Sequence, residues 1–243
     1  MWNNRQYPKV HQAFAEIHGT SKLTVSMDRV NLKPPKLAGA DVPWGEGLGL
    51  HWDGPRPRMF ATKTGKGAGG RSSDLTKSLG DDPRALRVQG ALQLSDSPEN
   101  GGGFICVPGF HAEFEAWAQG LPEEQLDKGF GEQPSLAHLK PINIATKKGD
   151  LLIWNRLLPH GNGVNTSDHP RMAQFIAMNP TPDGGLPADV VAGRVDEWQK
   201  HVKNNRTNEQ LDLGAFGVSE AEMPVAKLTQ LGKRLLGVVA WKQ

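Results

Sequence analysis

The chain has one cysteine, Cys106, so no disulfide can form within it. Cys106 sits in the apolar run Phe104-Ile105-Cys106-Val107, which reads as a buried strand thiol and suits a reducing compartment. An excess of either charge is also missing. Lys and Arg number 28 against 26 Asp and Glu, and a formal charge of +2 does not by itself imply a nucleic-acid or membrane partner. Long apolar runs are absent: the stretch Leu235–Trp241 is too short to span a bilayer. Met1–Lys9 is polar and lacks the apolar centre of a signal peptide. The expectation is a soluble protein of the cytoplasm or another reducing intracellular compartment, with no nucleic acid and no membrane as partner.

Glycine and proline are plentiful, 29 and 18 in 243 residues, and they imply many turns between short strands. Val10, Phe14 and Ile17 at helical spacing predict a short helix ended by Gly19. Leu23–Leu32 alternates as a strand, and Gly45–Asp53 leads into another. Arg56–Arg84 reads as a long excursion with seven basic residues and few apolar ones. Arg87–Ser95 returns to strand character, and after the turn at Ser97-Pro98-Glu99-Asn100-Gly101 the segment Gly103–Val107 is expected to pair with it as a hairpin. A short helix is expected at His111–Gly120, and strands at Ile142–Ala145, Leu151–Trp154 and Met172–Met178. Ala188–Lys203 reads as helical, and Ser219-Glu220-Ala221-Glu222 is a capping-box pattern. The middle is β-rich and the ends are helical, so one domain over residues 1–243 is expected. Its core would run from about 23 to 180, with a helical extension from about 187.

His51-Trp52-Asp53 places two metal-binding side chains two positions apart, and on a strand both project from one face. His160 is the best third candidate among the eight histidines. It follows a predicted strand and precedes Gly161-Asn162-Gly163, where the backbone can turn. Two neutral imidazoles and one carboxylate on one side of an ion leave three positions open, the donor set of iron(II) oxygenases. A structural zinc site is closed, usually by cysteines that this chain does not have. The plain alternatives are a buried His51 bonded to Asp53 and a turn histidine at position 160. Arg171, eleven positions after His160, can return from the next strand to the same pocket. A planar guanidinium there would suit the far carboxylate of 2-oxoglutarate; otherwise it is a solvated strand-start arginine.

Four segments in this order resemble the phytanoyl-CoA dioxygenase-like family of iron(II)/2-oxoglutarate oxygenases. They are His51-Trp52-Asp53; Glu99-Asn100-Gly101-Gly102 with Val107-Pro108-Gly109-Phe110-His111; Gly149-Asp150-Leu151-Leu152-Ile153-Trp154; and Pro159-His160-Gly161-Asn162-Gly163 followed by Pro170-Arg171. The resemblance implies a mainly β fold with flanking helices around a double-stranded β-helix, the jelly-roll or cupin-like core. It implies iron(II) at His51, Asp53 and His160 as the catalytic and metal residues, with 2-oxoglutarate at Arg171 and O2 as the oxidant. Several related oxygenases place a serine two positions after the arginine, also on the carboxylate. Here that position is Ala173, and Gln89 is a candidate to serve instead, unless it is an ordinary strand glutamine. His111 is given no ligand role.

The implied reaction is hydroxylation of a small organic molecule, with release of succinate and CO2. Asp53 matters here, because halogenating relatives replace this carboxylate with a small residue. Arg56, Arg58, Lys63, Lys66, Arg71 and Lys77 would suit an anionic substrate, or would form a solvated loop. Two further readings stay open: a nucleic-acid or protein demethylase or hydroxylase of the same chemistry, and a metal-binding jelly-roll module without turnover.

Overall fold

A computed structural model describes residues 1–36, 47–53, 56–61, 86–128, 136, 138–200 and 225–242. The described residues group into two compact units. Those within Val30–Ser73 and Asp81–Phe175 form one, and those within Met1–Arg29 and Ile176–Gln243 form the other. The basic residues Lys63, Lys66, Arg71 and Lys77, most of the Arg56–Arg84 excursion and the capping-box pattern at Ser219 lie outside the described residues.

The first unit carries eight strands: β2 (Val30–Lys33), β3 (Leu48–His51), β4 (Val88–Gln93), β5 (Phe104–Cys106), β6 (Ile142–Asn143), β7 (Leu151–Asn155), β8 (His160–Asn162) and β9 (Arg171–Phe175). They form two four-stranded antiparallel sheets in the orders β2-β9-β4-β7 and β3-β8-β5-β6. Each successive strand crosses from one sheet to the other until β6, and the chain then retraces the same alternation from β7 to β9. Two halves wound in this way make a double-stranded β-helix, the expected jelly roll. The inner faces meet, since the Phe104 ring of one sheet packs against the Trp154 ring of the other with centroids 4.6 Å apart.

The alternation also overturns one expected pairing. Gly103–Val107 does not fold back on β4; β5 pairs with β8 and β6 in the other sheet. Local turn chemistry predicts a hairpin, but the turn residues are tied elsewhere: Ser97 bridges to Thr146 and Gly101 to Asn165. These contacts carry the chain across the barrel instead of back along it.

A short helix α3 (Arg58–Ala61) and the longer α4 (Phe110–Gln119) complete this unit, with a 3-10 turn at Glu123–Gln125. Trp52, Phe60, Phe110 and Phe114 are buried together, and Trp117 packs against them. Their rings meet mostly edge to face at 5.3–6.4 Å, the arrangement the aromatic quadrupole favours. Cys106 is buried, as expected.

In the second unit, α1 (Trp2–Arg5) and α2 (Pro8–His18) precede β1 (Leu23–Val25), which pairs antiparallel with β10 (Met178–Pro180). Gly19 ends α2 in the left-handed conformation. The expected single strand Leu23–Leu32 is therefore two strands, β1 and β2, in different units. Between them the carbonyls of Ser26 and Asp28 accept from the Arg5 guanidinium rather than from a sheet neighbour. Helix α5 (Ala188–Lys200) sends Arg194 to the carbonyls of Leu235 and Leu236, at the C-terminal end of α6 (Gln230–Leu236), and to that of Val25. A buried cation there satisfies carbonyls that the helix leaves open and matches its dipole. Among the described residues, no helix is long and apolar enough to cross a membrane.

Phe114 is fully buried in the aromatic cluster behind the Trp52 segment. Phe114→Ala is expected to lower the unfolding free energy by about 3–5 kcal/mol. In urea this appears as an earlier midpoint at an unchanged slope.

Candidate metal centre

The centre begins with one register. β3 and β8 run antiparallel, and His51 is the direct cross-strand partner of His160. Their ring centroids lie 4.7 Å apart. Between Leu48 and His51 the register shifts, a bulge-like irregularity of the kind that re-aims side chains near a rim. Asp53 follows just beyond the strand end and returns to the same spot. The intervening Trp52 is 1% exposed and points the opposite way, into the aromatic cluster. Alternation along an extended segment thus gives one residue to the core and two to the site.

The ligand atoms of His51, Asp53 and His160 all lie within 4.8 Å of one another. His51 Nδ1 is 3.0 Å from Gly49 O, and His160 Nδ1 is 2.8 Å from Leu158 O. A proton on each Nδ1 donates to those carbonyls and leaves both Nε2 lone pairs facing inward, the second-sphere pattern of metal-bound imidazoles. His160 Nε2 is 3.6 Å from Asp53 Oδ2. The rings of Trp154 and Phe104 pack at 5.0 and 5.8 Å from the His160 ring. His160 lies in a strand, not in the turn its flanking Pro and Gly predict, because β8 must complete the ladder between β3 and β5.

Burial lowers the His51 pKa, and the neighbouring His160 lowers it further. Burial pushes the Asp53 carboxyl up, but contacts with His160 and Gln89 outweigh it and hold the group well below the usual carboxylate range. The site therefore favours neutral His51 and ionised Asp53, the protonation states a metal requires.

Gln89 lies on β4 opposite Trp154. Its Nε2 donates to Asp53 Oδ2 at 2.9 Å, so its amide group is engaged with the carboxylate of the triad. Arg171 opens β9, and only 1% of it is exposed. Its Nη1 donates to Asn31 Oδ1 on β2 and to Asn162 Oδ1 on β8, both at 3.0 Å. Its Nε is buried without a partner. Burial pushes its pKa down to about 10. Asn31 lies outside the four segments, and Asn162 lies within one of them without being singled out. The pairing of β2 with β9 brings Asn31 to the arginine, and Asn162 reaches it from β8 in the facing sheet.

Elsewhere, Arg58 is paired with Glu123 and Asp127, each at 2.7 Å. His111 is exposed in the first turn of α4. An open groove of about 530 Å³ bordered by Asn100, Ile105, Asn143 and Thr166 contains none of the triad.

A family model described as Phytanoyl-CoA dioxygenase (PhyH) matches residues 40–173, more than half of the chain. The chain belongs to the phytanoyl-CoA dioxygenase family. A Dictyostelium discoideum protein provisionally named a phytanoyl-CoA dioxygenase is 31% identical over 192 residues, which are 73% of this chain and 53% of that protein. The family member described here thus spans about half the length of the curated relative it matches. Among solved structures, the alpha-ketoglutarate-dependent carbocyclase SnoK from nogalamycin biosynthesis is 18% identical, covering 74% of this chain and 58% of its own, with a TM-score of 0.49. AviO1 from Streptomyces viridochromogenes is 17% identical, covering 74% and 60%, with a TM-score of 0.43. The jelly-roll assignment of this phytanoyl-CoA dioxygenase family member rests on its own strand order.

The triad makes a direct claim about metal uptake. Iron(II) or cobalt(II), added anaerobically, is expected to raise the melting temperature, by an amount that grows with the logarithm of free metal above its Kd. His51→Ala or His160→Ala should abolish the shift. Affinity should fall on acidification, because protons compete for the imidazoles. With the His51 pKa lowered, that competition at His51 begins below the pH at which a free imidazole titrates. Isothermal titrations between pH 5 and 8 check the sign.

Proposed function

We propose that this chain is an iron(II)- and 2-oxoglutarate-dependent dioxygenase acting on a small organic molecule, with succinate and CO2 as co-products. The observation that carries the reading is Arg171, a buried guanidinium with an unpartnered Nε, held by Asn162 two residues along β8 from His160. A buried charge without a counter-ion is costly. A ligand carboxylate would remove that cost through a bidentate contact.

The donor set fits the metal. Two imidazole nitrogens and one carboxylate oxygen on one side of the ion form the arrangement suited to non-haem iron(II), and no thiolate is among them. His51, Asp53 and His160 would hold it. When bound, iron supplies the oxidative chemistry that couples decarboxylation of a 2-oxo acid to oxidation of a second substrate.

The placement supports the co-substrate reading. Asn162, which holds Arg171, lies two residues along β8 from His160, so both project from one face of that strand. Phe104, Trp154 and Leu158 make the adjoining interior apolar. Such a lining limits water near the reacting centre and strengthens the charged contacts within it. Gln89 keeps one Asp53 oxygen in a fixed orientation. Arg58 is ion-paired, so the proposed anionic character of the substrate would have to rest on other groups.

Anaerobic addition of iron(II) and 2-oxoglutarate should produce a visible metal-to-ligand charge-transfer band. The band should weaken at a given 2-oxoglutarate concentration in Arg171→Leu. In air, iron-dependent succinate formation should be lost in His51→Ala. A chain that binds iron but forms neither band nor succinate would be a metal-binding module without turnover.

A further inference from the structure

The arginine pocket has a gap at Ala173, which is fully buried and brings no polar group. Both cross-strand partners of that residue are known: Asn31 on β2 and Gln93 on β4. Direct partners share a face, so Asn31, Ala173 and Gln93 form one row across the inner face of the sheet. Arg171 lies one inward-facing position further along β9, yet its guanidinium reaches back to this row at Asn31. Its guanidinium thus meets the row on the β2 side of Ala173, and Gln93 flanks Ala173 on the β4 side.

Gln93 is 2% exposed. Its side chain curls back along its own strand, with Nε2 3.5 Å from the Ala91 carbonyl, at the limit of a hydrogen bond. Its Oε1 is buried and has no partner. Arg171 Nε, on the same inner face, is likewise buried and unpartnered. Buried polar atoms without partners are uncommon and costly in folded proteins. A carboxamide can turn by half a revolution, so Gln93 can present either two N–H donors or its oxygen. Gln89, with the same functional group, already donates to Asp53.

The geometry points to Gln93 as the neutral side chain that donates a hydrogen bond to the far carboxylate of the co-substrate beside Arg171. It takes the part that a serine at position 173 would play. The inference rests on the 2-oxoglutarate reading above. It adds that recognition of the far carboxylate is divided between β9 and β4, and that the alanine at 173 is compatible with binding because Gln93 faces it.

The test measures equilibrium binding to the iron(II)-loaded chain without oxygen, by charge-transfer absorbance or tryptophan quenching. Two probes are compared: 2-oxoglutarate, and pyruvate, which chelates the metal but has no far carboxylate. Gln93→Leu is expected to weaken 2-oxoglutarate about ten-fold, the usual scale for one hydrogen bond to a charged group, and to leave pyruvate unchanged. Gln93→Glu, nearly isosteric, should weaken 2-oxoglutarate further by opposing its charge. Ala173→Ser combined with Gln93→Leu should recover most of the loss, which a merely structural role for Gln93 would not produce. If Gln93→Leu does not fold, the Gln93→Glu comparison decides alone. Unchanged 2-oxoglutarate affinity in a folded variant, or equal losses for both probes, would overturn the role of Gln93. If the wild type itself binds 2-oxoglutarate no better than pyruvate, and Arg171→Leu changes neither, the underlying co-substrate reading fails instead.

Discussion

A single cross-strand pair organises this protein: His51 of β3 directly opposite His160 of β8. Antiparallel pairing brings together two imidazoles more than a hundred residues apart and turns both inward. The carbonyls of Gly49 and Leu158 then fix the ring orientations. Asp53 joins them because Trp52 is held in an aromatic core on the other side of the same segment. The site thus depends on packing that never touches a ligand.

The second organising feature is an imbalance of charge in the interior. Arg171 is buried with two asparagine oxygens on one nitrogen, and among the described residues no carboxylate is paired with it. Interiors tolerate such a group poorly unless its partner arrives with a ligand. The triad includes His160, and the guanidinium is held by Asn162 two residues along the same strand, so β8 joins a metal-seeking group to a carboxylate-seeking one. A 2-oxo diacid matches that polarity. Gln89 and Gln93, on the same face of β4, would serve the two ends separately. One donates to Asp53, and the other lies across Ala173 from the Asn31 that holds Arg171.

Much of this was legible before the fold was known. The His-x-Asp spacing needs only the two-residue period of an extended chain. The order of four short segments carried the family resemblance, and it ends on an arginine that does open the strand after the distant histidine. Pairings between distant strands were less legible. Ser97–Gly101 has the composition of a hairpin turn, yet Thr146 and Asn165 claim its residues, so β5 crosses to the other sheet. Leu23–Leu32 alternates well enough for one strand, but Arg5 takes its middle carbonyls. Asn31 and Gln93 were silent in the sequence because each gains its place only from Ala173 opposite it, and Asn162, although inside a quoted segment, meets Arg171 only when the two sheets face each other.

X-ray absorption at the iron edge measures the central claim most directly, on the iron(II)-loaded chain with and without 2-oxoglutarate. The account predicts a first shell of nitrogen and oxygen only, with the multiple scattering of two imidazoles. It also predicts a shell that rearranges without losing either imidazole when the diacid binds. A sulfur scatterer, one imidazole or three, or a spectrum indifferent to 2-oxoglutarate would contradict it.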